Sequence, residues 1–358
     1  MSRFLQLHVL TAYPPSNPNR DDLGRPKSAV IGGVQRMRIS SQAIKRAIRT
    51  APAFVDALTG QLGNRTQRLG EVIREHALGK GADDATATTV AREIAAAFGK
   101  LKSEKDAHPT YTEQLAFISP QERKMALALA DKRIAGEKLP KDKDLAKLVL
   151  LRADGAVDIA MFGRMLADNP DFNREASVQV AHAFTTNRVA IEDDYYTAVD
   201  DLKLSSEDAG AGFIGEAGFG AGVFYLYVCV NRDILVDNLA GDRELAETAL
   251  KALVKAVATS SPSGKKNSFA NHVRAEFVLA ELGDGQPRTL ASAFTAPVSG
   301  DHQMTASGTA LMGKRAEFAK VYGRDWADER LMQVGSPESV SLEDLVFFAA
   351  SGLAGDVS

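Results

Sequence analysis

The order of strand-like and helix-like segments constrains the fold of this 358-residue chain more than any other feature. Leu5, Leu7 and Val9 alternate with polar residues, which predicts a half-buried strand near the N-terminus. Residues of about 66–153 have helical character instead. Short apolar runs that suggest strands then return, at Val157–Met161, Gly222–Val230 and Ala275–Leu282. Because strands and helices do not alternate regularly, the pattern favours an α+β fold over a doubly wound sheet.

Capping residues and apolar periodicity predict the individual helices. Ser40 or Ser41 caps a helix whose inward stripe is Ile44, Ala47 and Ile48. A capping box, Ser119-Pro120-Gln121-Glu122, has proline at the first helical position. The helices predicted beyond it are Arg123–Ile134, Asp142–Arg152, Leu245–Thr259 and Leu342–Ser351, the last capped by Ser341.

Two insertions divide the predicted core of strands and helices. The core comprises residues 1–60 and 155–358, the helical insertion spans 61–154, and a loop-rich insertion occupies 165–220. A polar segment rich in proline and glycine, from Thr11 to about Val34, follows the first strand. This composition predicts a long loop without regular secondary structure, and loops of this kind usually have a functional role.

Bulk composition excludes several classes of protein. The single cysteine, Cys229, lies in an apolar run, so disulfide frameworks and cysteine-rich zinc sites are excluded. The six histidines show no paired ligand spacing, and we expect neither a metal nor a cofactor. The N-terminus lacks the features of a signal peptide, and no stretch approaches the ~20 apolar residues of a membrane span. We therefore expect a cytoplasmic protein.

The main functional signal is a local excess of positive charge. The whole chain carries −3 at neutral pH, yet the thirty residues from Arg20 to Arg49 carry +6 and the remainder −9. A near-neutral average thus conceals a basic segment, which is the usual footprint of a polyanion site.

The helix at the end of this basic segment has a phosphate-binding pattern. Lys45 and Arg49 are four residues apart and share one helix face, and Arg46 flanks them. The backbone N–H groups of Ser40, Ser41 and Gln42 lie at the helix start, where unpaired donors and the helix dipole favour an anion. A solvated basic helix face is the alternative interpretation.

A second candidate is the acidic segment 192–201, which contains Tyr195 and Tyr196. In an extended chain the two rings point to opposite sides, so one could stack on a nucleic-acid base while the other packs. A tyrosine pair that anchors its own loop is an equally good interpretation. The five carboxylates could hold a divalent cation, although their spacing matches no calcium loop and solvated acids explain them better.

Several of these segments together resemble the CasC family, the backbone subunit of the type I-E CRISPR Cascade surveillance complex. The similar segments cover the chain from its first strand to about residue 295. They are Asn19-Arg20-Asp21-Asp22, Gly32-Gly33, Arg38–Gln42 with Lys45-Arg46-Ala47, Val157–Ala160, Gly163–Met165, Ala183 with Thr185-Thr186, Thr197–Leu202 and Gly222–Tyr225.

The resemblance implies a palm like an RNA-recognition motif (RRM, ferredoxin-like), a helical fingers domain and a protruding thumb. It further implies that copies of the chain stack head to tail along one guide crRNA and bind it without sequence preference. The guide is kinked at regular intervals and pairs with a target DNA strand, beside other Cascade subunits. The RNA-binding residues implied are Arg20, Lys27, Arg38, Ser40, Gln42, Lys45, Arg46, Arg49, Met165 as a wedge, Tyr195 and Tyr196 at the thumb tip, and Lys265 and Lys266 in a later basic segment.

Two other functions compete with this non-catalytic scaffold. Backbone subunits of type III complexes resemble this family and cut RNA with an aspartate in the first loop, which would make Asp21 or Asp22 part of a metal-dependent endoribonuclease. The loop offers no histidine or lysine obviously poised as acid or base, which counts against cleavage. A protein-only structural subunit is the third possibility, and the +6 segment argues against it.

Overall fold

The structure, a computed structural model, describes residues 2–198 and 213–353. The strands are β1 (Phe4–Ser16), β2 (Ser28–Ile31), β3 (Val34–Ile39), β4 (Asn64–Thr66), β5 (Ala116–Ile118), β6 (Val178–Val180), β7 (Ala183–Thr185), β8 (Glu192–Ala198), β9 (Phe213–Asn231), β10 (Phe277–Gly283) and β11 (Asp328–Gln333). The helices are α1 (Ser41–Arg49), α2 (Pro52–Val55), α3 (Leu69–Gly79), α4 (Asp84–Ala95), α5 (Pro120–Ile134), α6 (Asp142–Val149), α7 (Val157–Phe162), α8 (Arg232–Asn238), α9 (Arg243–Thr259), α10 (Lys266–Phe269), α11 (Gln303–Tyr322) and α12 (Leu342–Ala350). Short 3₁₀ turns occur at Ala96–Phe98, Pro170–Phe172 and Ala291–Phe294.

One large sheet organises the molecule. Its strand order is β11-β10-β1-β9-β7-β3-β2, and β6 and β8 also pair with β9. All of these pairs are antiparallel. The central strands β10-β1-β9, with β6 and β7 beside β9, follow the order of a β-α-β-β-α-β unit whose two crossover helices are α1 and α9. The prediction of a mixed α+β fold is confirmed.

Helices cover both faces of this sheet. Alternate residues of β1, such as Leu5 and Leu7, are buried in the same cluster as Leu250 of α9 and Leu345 of α12. On the other face, Leu10 belongs to a second cluster with residues of β9, β10 and α11. The first strand is therefore present as predicted, but the expectation that it is half-buried was wrong, since Gln6 and His8 on its polar side are buried as well.

The segment between α2 and α7 forms a core of its own. Apolar side chains from α3, α4, α5 and α6 pack into one cluster that is separate from those of the large sheet. Strands β4 and β5 pair with each other in a small second sheet. The predicted helical character of residues 66–153 is confirmed for α3 to α6, and the capping box at Ser119 and Glu122 is present.

Three local expectations were wrong. Val157–Met161 was expected to be a strand but lies in helix α7, because a short apolar run has the same signature in a buried helix and a buried strand. The segment from Thr11 to Val34 is not one long loop: β1 continues to Ser16, and β2 pairs with β3 around Gly32-Gly33. Both glycines have positive φ, as a two-residue hairpin turn requires.

The third correction concerns the loop-rich insertion. Residues 165–198 and 213–220 contain β6, β7, β8 and the first part of β9, and β8 and β9 form a long antiparallel ribbon. Most of the similar segment Thr197–Leu202 lies outside the described residues. Within residues 2–198 and 213–353, no helix is both long and apolar enough to cross a lipid bilayer.

Candidate nucleic-acid interface

Helix α1 and the segments around it carry most of the predicted contact residues. Ser40 is the N-cap, and its hydroxyl accepts the N–H of Ala43 at 3.3 Å. The N–H of Ser40 donates to Oδ1 of Asn19 at 2.8 Å, and the N–H of Ser41 donates to Nδ1 of His182 at 3.1 Å. The expectation that both N–H groups are unpaired was therefore wrong, since distant side chains already satisfy them.

A large groove lies between α1 and α10, and we call it the α1–α10 groove. Its volume is about 820 Å³. It gathers three predicted residues, Arg20, Arg46 and Lys266, from segments far apart in sequence. The other lining residues come from the loop 18–24, from the 43–53 region and from the serine-rich segment 259–264. Arg20 and Arg46 are exposed, and no ion pair joins these three cations to any residue in the ranges 2–198 and 213–353.

A second, smaller groove lies on the other side of the α1 N-terminus, beside the β2–β3 hairpin. This hairpin groove has a volume of about 470 Å³ and is lined by Lys27, Ala29, Ile31, Arg38, Ser40, Gln42, His182 and Phe184. Four of these, Lys27, Arg38, Ser40 and Gln42, are predicted contact residues. Lys27 and Arg38 lie opposite each other, since the N–H of Arg38 donates to the carbonyl of Lys27 at 2.8 Å. Neither side chain has an ionic partner within the described part of the chain.

Lys45 and Arg49 do not behave as the matched pair that their spacing predicted. Nε and Nη2 of Arg49 donate to Oδ2 of the buried Asp158 at 3.1 and 2.8 Å, and the guanidinium lies 4.4 Å from the Phe117 ring centroid. Lys45 is half-buried, with Nζ 5.8 Å from the ring centroid of Phe162. Burial lowers the pKa of Lys45. Arg49 thus ties α1 to α7 and to the helical segment.

The ion pair with the buried Asp158 carboxylate fixes the position of the Arg49 guanidinium. Its Oδ1 accepts the N–H of Gly63 at 2.7 Å, so the carboxylate joins three segments. Burial raises the pKa of Asp158, although Gly63 and Arg49 both act in the opposite direction. Two further arginines of the basic segment also have partners. Arg36 is buried and donates to the carbonyls of Thr185, Thr186 and Phe294, and Arg25 pairs with Asp193 at 2.9 Å.

Met165 projects from a rigid base. Its side chain is 81% exposed. The neighbouring Arg164 is buried and bonds the carboxylate of Glu122, at 2.6 Å for the shorter contact, and also carbonyl oxygens of the helical segment. The backbone of Arg164 also bridges to Arg174 in both directions, at 3.1 and 2.9 Å. An exposed apolar side chain on such a fixed support is free to contact another molecule.

Tyr195 and Tyr196 lie on β8, paired in register with Glu216 and Gly215 of β9. They are 66% and 42% exposed and, as neighbours on a strand, face opposite sides of the ribbon. Tyr196 lies over Gly215, where a β-carbon would come within 2.4 Å of its ring. The expectation of rings on opposite sides therefore fits the ribbon, with Tyr195 the more exposed.

Lys265 and Lys266 stand at the start of α10. Lys265 has a left-handed backbone (φ 49°) and is half-buried, while Lys266 reaches the α1–α10 groove. The adjacent Gly264 packs against the backbone of Pro18, where a β-carbon would meet the carbonyl oxygen at 2.3 Å. This close approach brings the second basic segment beside the first.

The carboxylates of the first loop have structural partners or face solvent. Oδ1 of Asp21 accepts the N–H groups of Leu23 and Arg25 at 3.0 and 2.9 Å, which closes a tight turn. Asp22 is exposed at the mouth of the α1–α10 groove. Among the residues that the structure describes, no group of three or more His, Cys, Asp or Glu side chains could hold a metal ion.

Residues that the sequence did not single out complete the interface. Asn19 and His182 satisfy the first turn of α1, Phe184 lies in the floor of the hairpin groove, and Ser260 and Ser261 line the α1–α10 groove. The register of β3 against β7 could have suggested Phe184, since it lies opposite Arg38. Asn19 lies in a segment that is similar to the CasC family, whereas no local sequence signal marks His182, Ser260 or Ser261.

The family of the chain follows from a comparison with known proteins. The family model of CT1975-like proteins matches residues 5–347. The chain belongs to this family. Both grooves, Met165 and the described part of the β8–β9 ribbon lie within the matched residues.

Solved structures agree with this assignment. A chain of a structure titled "CRISPR RNA-guided surveillance complex, pre-nicking" is 30% identical, with a TM-score of 0.86 over 98% of this chain and 100% of that one. A second, titled "CRISPR RNA-guided surveillance complex", is 26% identical, with a TM-score of 0.75 over 97% and 100%. No curated protein sequence matches the chain.

Proposed function

We propose that this protein is a backbone subunit of a CRISPR RNA-guided surveillance complex, of the type I-E CasC kind. It binds the phosphate backbone of the guide crRNA without reading its sequence. It kinks the guide at regular intervals, and the intervening segments pair with a target DNA strand. Its partners are further copies of itself, arranged head to tail, and other subunits of the complex.

The observation that carries this proposal is the set of cations around α1 that have no ionic partner in the described part of the chain. Arg20, Arg46 and Lys266 face one groove, and Lys27 and Arg38 face the other. Side chains of this kind gain most from an external polyanion, because they give up no internal ion pair to bind it. Ser40 and Gln42 add neutral donors to the hairpin groove, since the Ser40 hydroxyl can donate its proton while it accepts from Ala43. Lys45 and Lys265 line neither groove but are half-buried next to Arg46 and Lys266, and we keep them as proposed contacts. We assign Arg49 to the fold.

Kinking is assigned to Met165 and the tyrosines. Unstacking RNA bases costs a few kcal/mol per step, by analogy with proteins that insert apolar wedges into nucleic acid. Met165 is exposed, flexible and polarizable, and its base is fixed by the buried Arg164. Tyr195 and Tyr196 supply aromatic faces on which a displaced base can stack.

The proposed domains are the palm, fingers and thumb that the resemblance to the CasC family implies. The palm comprises residues 1–60 and 155–358, the fingers 61–154 and the thumb 165–220. The separate apolar cluster of the helical segment supports a fingers unit, and the β8–β9 ribbon supports a thumb. The strand order β10-β1-β9, with β6 and β7 together in the fourth position, supports a palm like an RNA-recognition motif.

The proposed role is non-catalytic. One oxygen of the Asp21 carboxylate, Oδ1, already accepts two N–H groups of the turn, which argues against a metal-bound role for this residue in cleavage. A nuclease assay of the purified protein with Mg²⁺ and guide or target RNA tests this directly. We expect intact RNA, and cleavage that is abolished by Asp21→Asn or Asp22→Asn would establish the endoribonuclease instead.

Co-expression with a CRISPR array tests the binding role. The purified protein should carry RNA, visible as a raised A260/A280 ratio, and the RNA should have a discrete length. Light scattering with guides of increasing length should show mass rising in steps, since head-to-tail contacts give open arrays. A nucleic-acid-free protein, or the same dimer at every guide length, would contradict the proposal.

A further inference from the structure

His182 stands at the meeting point of α1 and the hairpin groove. It is exposed, it lines the groove together with Lys27 and Arg38, and its Nδ1 lies 3.1 Å from the backbone nitrogen of Ser41. Ser41 is the first residue of α1, so this N–H is one of the donors that a helix cannot satisfy internally.

The bond to Ser41 fixes the protonation pattern of the imidazole. A backbone N–H can only donate, so Nδ1 must present its lone pair and carry no proton. The neutral ring then has its proton on Nε2, the nitrogen on the opposite side of the ring.

The Nε2–H group of this ring has no partner among residues 2–198 and 213–353. In the hairpin groove, the side chains of Lys27 and Arg38 and the Nε2–H group of His182 together form a site for a phosphate oxygen. We propose that His182 is an additional guide-binding residue, which donates Nε2–H to a backbone phosphate held by Lys27 and Arg38. This inference rests on the proposed RNA-binding function and adds to it a contact that is neutral.

The neutral character gives His182 a distinctive signature. A cation that neutralises a phosphate releases a counterion, and each such contact on a single strand adds about 0.7 to the magnitude of the negative slope of log K against log salt. A neutral donor releases no counterion. His182→Ala should therefore leave the slope unchanged, while it weakens RNA binding about tenfold, as expected for loss of a hydrogen bond to a charged group. Lys27→Ala should weaken binding and also make the slope shallower.

A purely structural role for His182, as the cap of Ser41, is separated by a second substitution. Lys27→Ala removes a cation that lines the same groove. If His182 and Lys27 hold the same phosphate, the losses of binding free energy for His182→Ala and Lys27→Ala should not add in the double variant. If His182 only caps the helix, the two losses should add.

The experiment is a fluorescence-anisotropy titration of a single-stranded RNA oligonucleotide at several salt concentrations. His182→Gln should retain most of the affinity, since its amide both accepts and donates. His302→Ala is the matched control, because His302 is also exposed at a helix N-terminus, that of α11. The inference is overturned if His182→Ala binds like wild type, if it makes the salt dependence shallower as Lys27→Ala does, or if the losses of His182→Ala and Lys27→Ala add in the double variant. Failure of the wild-type protein to bind RNA would instead overturn the proposed function itself.

Discussion

Arginines in the interior of this protein and arginines at the grooves differ in what they contact. Arg164, Arg174 and Arg315 are buried and each bonds a carboxylate, that of Glu122, Asp154 and Glu281 respectively. Arg20 and Arg46, by contrast, are exposed and have no ionic partner in the described ranges. Burial of an unpaired charge is very costly, so internal arginines must have partners. Cations left without one at the surface are the better candidates for an external anion.

The same contrast divides the basic segment itself. Of its eight basic residues, Arg25, Arg36 and Arg49 are bound to other groups of the chain. The +6 charge read from the sequence therefore overstates what the surface offers to RNA.

The largest expected effect is on an interior arginine. Arg164→Ala leaves Glu122 buried without its partner, so we expect the free energy of unfolding to fall by about 3–5 kcal/mol. Urea denaturation followed by circular dichroism measures this. Arg152→Ala, a nearby exposed arginine, is the control and should change stability by less than about 0.5 kcal/mol. A loss of under about 1 kcal/mol in the free energy of unfolding for Arg164→Ala would remove the distinction between interior arginines and those at the grooves.

Arg49→Ala should have a smaller effect of the same kind. Its partner Asp158 stays buried and keeps only the N–H of Gly63, so a loss of about 1–3 kcal/mol in unfolding free energy is expected. Arg46→Ala, three residues earlier on the same helix, should leave the stability almost unchanged. Equal stability losses for the two variants would mean that Arg46 also has a structural partner.

Burial of His8 beside Glu281 should make the free energy of unfolding depend on pH, by about 1 kcal/mol. Burial lowers the pKa of His8, and the adjacent Glu281 offsets this only in part. Unfolded His8 takes up a proton below its ordinary pKa of 6.5, whereas the buried ring stays neutral. Unfolding is therefore favoured as the pH falls below 6.5, by up to ~1.4 kcal/mol per pH unit.

Substitution isolates this contribution of His8. The stability advantage of wild type over His8→Gln should shrink between pH 7.5 and pH 5.5, because glutamine takes up no proton on unfolding. Chemical denaturation at both pH values measures it. A difference that is constant with pH would show that His8 does not stay neutral in the folded protein.

The smallest effect on affinity is expected from the exposed apolar residues. Replacing Met165, Tyr195 and Tyr196 together with alanine should leave most of the phosphate-driven RNA binding intact but remove the regular kinks. Chemical probing of the bound guide should show hyper-reactive nucleotides at a constant interval for wild type only. Periodic reactivity that persists in the triple variant would mean that these residues do not kink the guide.

Local features of the fold were predictable from the sequence, because neighbouring residues determine them. Ser40, the Ser119–Glu122 capping box and Ser341 all cap the helices that they were predicted to cap. Helix α7 was wrongly predicted to be a strand at Val157–Met161, since a five-residue apolar run carries no period that separates a buried helix from a strand.

The site was predictable only in part, because its contacts join distant segments. The basic residues that line the two grooves were visible in the sequence as a charge excess. Arg49 could not be separated from Arg46 in this way, since its partner Asp158 lies 109 residues further along the chain. His182 was missed for the same reason, being 141 residues from Ser41.

The salt dependence of RNA binding by Arg46→Ala and Arg49→Ala, measured side by side on one single-stranded RNA, tests the central claim most directly. The two arginines belong to one helix, and of the two only Arg46 has no ionic partner among residues 2–198 and 213–353. Arg46→Ala should reduce the magnitude of the negative slope of log K against log salt by about 0.7, and Arg49→Ala should leave the slope at the wild-type value. A slope that becomes shallower for Arg49→Ala and not for Arg46→Ala would contradict the claim.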